Sequence, residues 1–192
     1  MADVVATSTE PALGAIRLAW WRERLEELDQ GDPAPAEPRL KTVSKHLIPL
    51  GISGIELSEL ETCWLPMLED FPWRQPVAEG FRRRGRILFG VGAKILGWHS
   101  EDVNAAGALW SLVDGARHCS DFYSRTFLLG EARQAIEQLP RHKPPRAVRG
   151  MTVLAALAAH DVLRDKPLDL GGGLGRVVVA SLHQLRGSLP RG

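Results

Sequence analysis

The stretch EPALGAIRLAWWRERLEEL, Glu10 to Leu28, decides the fold. Pro11 suits a helix start, because a proline in the first turn lacks only an N–H that would be unsatisfied there anyway. Leu13, Ile16, Trp20 and Leu28 recur at spacings of three, four and eight, which stacks them on one face at 3.6 residues per turn. Arg22, Glu23, Arg24, Glu26 and Glu27 mostly lie elsewhere around the helix. The pattern predicts an amphipathic helix with Trp20 in the core and Trp21 at its edge.

The helical period continues along the chain. QGDPAPAEP (Gln30 to Pro38) is a proline-rich turn, Arg39 to Leu47 a short segment, and PLGISG (Pro49 to Gly54) a break. Leu57, Leu60, Trp64, Met67 and Leu68 mark a helix from about Ile55 to Asp70. Another is expected from Pro76 to Leu96, with Phe81, Leu88, Val91 and Ile95 inward. Ser100 reads as an N-cap, followed by Glu101 and Asp102 at the positive end of the helix dipole. The helix it opens should reach about Phe122. Further helices are expected over Gly130 to Leu139, Ala147 to Leu163 and Arg176 to Leu185, with RHKPP and LGGGLG as loops. No segment alternates as a strand would. VVVASL (Val177 to Leu182) is β-branched, but its length and flanks fit the last helix. The expected fold class is all-α, in a single domain spanning 1–192.

Composition narrows the function classes. Hydrophobic residues at 44% and charged residues at 24% give the balance of a soluble globular chain. A net charge of +1 gives no reason to expect a nucleic-acid partner. Cys63 and Cys119 are too few and too unpatterned for a disulfide framework or zinc site, and read as reduced thiols in a cytoplasmic protein. MADVVATSTEP lacks the basic start and apolar stretch of a signal peptide.

Three stretches carry candidate chemistry. GGGLGR follows no expected strand and completes neither nucleotide-binding glycine spacing, so it reads as a loop. RRRGR places Arg82, Arg83, Arg84 and Arg86 on one helix, either as a solvated face or as a patch for a diphosphate or acidic lipid headgroup. SLVDGARHCSDFYSR (Ser111 to Arg125) is the richest. In one continuous helix Asp114, Arg117, His118 and Asp121 share a flank. Asp114 and Asp121 could then hold Mg²⁺, or Arg117 and His118 a diphosphate oxygen, with Arg125 as a further cation. A plain ladder of intrahelical salt bridges would use the same spacing.

EPALGAIRLAWWRERL (Glu10 to Leu25) resembles the squalene/phytoene synthase family, whose members run from an E-P-M-like turn into I-R-L-x-W-W-R. Pro11, Gly14, Ile16, Arg17, Leu18, Trp20, Trp21 and Arg22 keep that pattern. GALWSLVDGARHCSDFYSR is similar to the family's G-x-A-x-Q-x-x-N-x-x-R-D helix. Gly107 and Arg117 match it, and Asp114 and Asp121 take its Asn and Glu positions. Ser111 stands for the Gln, and His118 and Phe122 for aspartates. The order of helices extends the resemblance over nearly the whole chain and implies an isoprenoid-synthase-type bundle lacking the usual first helix.

The family joins two prenyl diphosphates head to head, giving squalene or phytoene, on Mg²⁺ ions held by two aspartate-rich helices. Here only nine residues precede Glu10, with Asp3 their sole acid, and the second motif has lost two carboxylates. The resemblance therefore implies either of two functions. One is a non-catalytic accessory protein that binds a prenyl diphosphate, another lipid or a protein partner, as a complex I assembly factor of this superfamily illustrates. The other is a Mg²⁺-dependent prenyltransferase whose first motif lies upstream of Met1. Either would be cytoplasmic, with peripheral contact at the inner face of a membrane.

Overall fold

The computed structural model describes residues 1–98, 100–101, 103–164 and 173–190. These form helices and turns with no strand among them, so the fold class is all-α. The first-turn position expected for Asp102 and the part of the glycine loop at 170–172 lie outside the described residues. The chain divides into two compact units, Met1–Asp70 and Phe71–Gly192.

In the first unit, α1 (Ala2–Thr7) precedes α2 (Pro11–Leu28), α3 (Pro38–His46), α4 (Gly54–Ser58) and α5 (Leu60–Trp64). The start of α2 at Pro11 is as its sequence dictates, but its inner face is not. Gly14, Leu18, Leu25 and Leu28 are buried, whereas Leu13, Ile16 and Trp20 are exposed, Trp20 at 40%. Two apolar stripes share this helix, and the one containing Gly14 is turned inward. A Cβ there would lie 2.6 Å from Leu68 Cδ2, so only glycine lets Leu68 pack this close. Trp21 is half-buried, edge-on to Trp20 at 5.2 Å between ring centroids and beneath the Arg39 guanidinium at 5.9 Å.

The single helix expected from Ile55 to Asp70 is instead α4, α5 and a 3₁₀ turn over Leu65–Leu68. Pro66 has no N–H to continue an α-helix, and Ser58 Oγ donates to the Ile55 carbonyl at 2.8 Å. Asp29, just beyond α2, accepts from the Gly54 and Ile55 N–H groups at 2.6 and 2.9 Å, satisfying the start of α4.

The second unit contains α6 (Gln75–Ile95), α7 (Val103–His118), α8 (Phe122–Glu137), α9 (Arg149–Leu163) and α10 (Leu174–Arg186). Helix α7 is central, packing on α6, α8 and α9, while α10 packs on α9. Of the inward positions expected on α6, Phe81 and Val91 are buried, but Leu88 and Ile95 are exposed. Gly85, Phe89 and two arginines occupy the inner face with them. The helix expected to reach Phe122 stops at His118, and Asp121 caps the next one. No helix of the described residues is long and apolar enough to cross a membrane.

Candidate functional site

Helices α6 and α7 approach through small residues, and the charged candidates are arranged around that contact. Arg84 on α6 is buried between the Phe81 and Trp110 rings, at 4.9 and 5.5 Å from their centroids. Such faces attract a guanidinium, especially away from water. Its Nε donates to Ser111 Oγ at 2.9 Å and its Nη2 to Asp114 Oδ2 at 2.6 Å. Arg82 is also buried and ion-pairs with Glu131 of α8. Arg86 reaches Glu79 at 3.1 Å along its own helix, and Arg83 is exposed. The four arginines therefore make no common patch: Arg82 and Arg84 are structural pairs of the interior.

The second group divides as well. Arg117 turns from α7 to Asp161 of α9, and the same Asp161 oxygen receives Arg176 of α10. One carboxylate thus ties three helices. Burial holds the Arg117 guanidinium below its ordinary pKa, Asp161 opposes that, and Arg176 adds to it. His118 is exposed, with Nδ1 2.8 Å from the Asp114 carbonyl oxygen and 3.5 Å from Asp114 Oδ1.

Asp121 is not on that flank. It stands in the turn after α7, where its Oδ2 accepts from Ser124 N and Ser124 Oγ, both at 2.7 Å. These bonds hold its carboxyl below the ordinary carboxylate range. An aspartate is a favoured N-cap, because its carboxylate can accept a backbone N–H of the following turn, and that option competes with helix continuation. Arg125 donates from Nη2 and Nε to the Cys119 carbonyl, at 2.7 and 3.2 Å, closing the same turn. Cys63 and Cys119 are both buried, and burial pushes the Cys119 thiol up.

The residues present do not fit the Mg²⁺ that the resemblance implies. Mg²⁺ takes octahedral oxygen ligands at about 2.0–2.1 Å, whereas Asp114 is committed to Arg84 and Asp121 to a helix cap on another element. Among the described residues, no three His, Cys, Asp or Glu side chains come together as a metal set. A separate shallow cleft lies beside Trp98, Val103, Pro145, Val148, Thr152 and Leu189, and its described lining includes none of the candidate charges.

Reading along the sequence missed Asp161, Glu131 and His183. Asp161 is a polar group inside the alanine-rich, largely apolar α9, where such a residue signals a buried partner, whereas Glu131 lies on the mixed α8 and carries no such local mark. Among known proteins no family model, no curated protein and no solved structure matches the chain.

Proposed function

We propose that this chain is a squalene/phytoene synthase-like protein that does not condense prenyl diphosphates and serves an accessory role, binding a prenyl or other lipid at the periphery of a membrane. The observation that supports this reading is the commitment of the motif's own charges. Asp114 neutralises buried Arg84, Arg117 neutralises Asp161, and Asp121 caps α8. A diphosphate leaving group needs metal-held or cationic oxygen contacts where its charge develops. Charges consumed inside the bundle supply neither.

Incubating the chain with Mg²⁺, farnesyl or geranylgeranyl diphosphate and a reduced nicotinamide tests the proposal. No squalene, phytoene or cyclopropyl intermediate should form above a heat-killed control. Formation of any of them would establish the prenyltransferase instead.

A further inference from the structure

We infer that α10 docks the protein on an anionic bilayer, lying in the interface with its apolar face among the acyl chains. Helix α10 is turned the opposite way from a surface helix of a globular protein. Its fully buried side chain is His183, while Leu174, Val177, Val178, Leu182 and Leu185 are all exposed, Leu174 at 85% and Leu185 at 71%. At about 100° per residue, these five fall within an arc of roughly 140° centred opposite His183. Leu154 of the neighbouring α9 is exposed too. Over 13 residues this gives an apolar ridge about 20 Å long.

Charge selects the occupant. From Gln138 to Gly192 the sequence carries nine Lys and Arg against three Asp, a net of +6 in a chain whose total is +1. Among the described residues of that stretch, the sole acid is Asp161, already held between Arg117 and Arg176. Arg141, Lys143, Arg146, Arg164 and Arg186 are exposed, and Arg186 borders the apolar arc next to Leu182. An apolar face on a helix that carries no acid and has a cation at its border is the signature of interfacial binding to anionic lipid. A second copy would instead bring two like-charged segments together, which Coulomb repulsion opposes.

The inference deepens the peripheral location proposed above and is independent of whether condensation chemistry survives. The full chain should sediment with vesicles of phosphatidylcholine mixed with phosphatidylglycerol, should not sediment with phosphatidylcholine alone, and should be released by added salt. Val178→Ser with Leu185→Ser, both at exposed positions, should lower the partition coefficient about tenfold or more while leaving the helical circular dichroism unchanged. Arg186→Glu should weaken binding to the anionic vesicles without touching the apolar ridge. Equal binding to both vesicle types, or full binding by the serine variant, would overturn the inference. So would a dimer that the serine variant dissociates and that binds no vesicles, since the ridge would then belong to a second copy. Formation of squalene or phytoene in the condensation assay would leave the docking face standing, and failure to bind vesicles would leave the non-catalytic reading standing.

Discussion

Gly85 and Gly107 meet backbone to backbone where α6 crosses α7. A Cβ on Gly85 would lie 2.0 Å from the Gly107 carbonyl oxygen, and one on Gly107 would lie 2.2 Å from the Gly85 carbonyl oxygen. Neither obstacle is a side chain that can swing aside. Gly107→Ala must therefore part the two helices and should destabilise by about 1–3 kcal/mol or more. Gly90 lies on the same helix, α6, with nothing within 4 Å of its would-be Cβ. Gly90→Ala should stabilise by about 0.4–1 kcal/mol through the unfolded chain. Urea unfolding of both variants checks this reversal of sign.

His183 makes stability depend on pH. Its Nδ1 lies 2.9 Å from the Ser188 carbonyl oxygen and its Nε2 2.9 Å from Thr152 Oγ1. Burial holds the imidazole below its ordinary pKa of 6.5, the Ser188 carbonyl opposes that, and Arg149 adds to the lowering. The unfolded chain consequently takes up this proton at higher pH than the folded one. Stability from His183 is complete above about pH 6.5 and falls as pH drops towards the lowered folded value, by at most about 1.4 kcal/mol per pH unit. Unfolding free energies at pH 7.5 and pH 5.5 should show a loss that His183→Leu reduces. An identical pH profile in the variant would rule out this assignment.

The two stripes of α2 can be told apart by mutation. Leu18 is fully buried, so Leu18→Ala should cost about 2–5 kcal/mol. Trp20 is 40% exposed and meets Trp21 edge-on, so Trp20→Ala should cost less than Leu18→Ala and fall below the roughly 3–5 kcal/mol of a fully buried tryptophan. Thermal unfolding of the pair of variants checks the order. A larger loss from Trp20→Ala would restore the tryptophan stripe to the core.

Period and punctuation made the helices legible: Pro11 starts α2, and α6 occupies Gln75–Ile95 where Pro76 to Leu96 was expected. The face was harder to read. Leu13–Ile16–Trp20 and Gly14–Leu18–Leu25 are both at helical spacing, and a count of apolar side chains favours the first because it gives no weight to glycine. The close approach of Leu68 to Gly14 is a tertiary fact that a local pattern does not contain. At the candidate site, spacing alone joined Asp121 to Asp114, but 3.6-residue geometry holds only while the helix continues, and α7 ends at His118 with Asp121 capping α8. The inward turn of Arg82 and Arg84 was hidden for a different reason. Their partners Glu131 and Asp114 lie 49 and 30 residues away, so nothing adjacent marks these arginines as buried.

Asp161 offers the sharpest test of how the charged interior works. It accepts two guanidiniums, from Arg117 and Arg176, whose side chains are only 18% and 19% exposed. Asp161→Asn removes the carboxylate that both arginines pair with and leaves two partly buried cations facing each other. Breaking a buried pair costs about 3–5 kcal/mol, and the lower end applies here because both arginines keep some water. For a chain of this length, about 2–4 °C of Tm accompanies each kcal/mol. An added dianion should then replace the missing carboxylate. Inorganic diphosphate or sulfate should raise the Tm of Asp161→Asn well beyond its effect on the wild type, compared with chloride at equal ionic strength, because a bound anion stabilises only the folded state. In the wild type Asp161 already occupies those donors, so the same anions should shift Tm little. An equal shift in both proteins would mean that Arg117 and Arg176 remain open to anions despite Asp161, and would restore Arg117 as a direct diphosphate ligand.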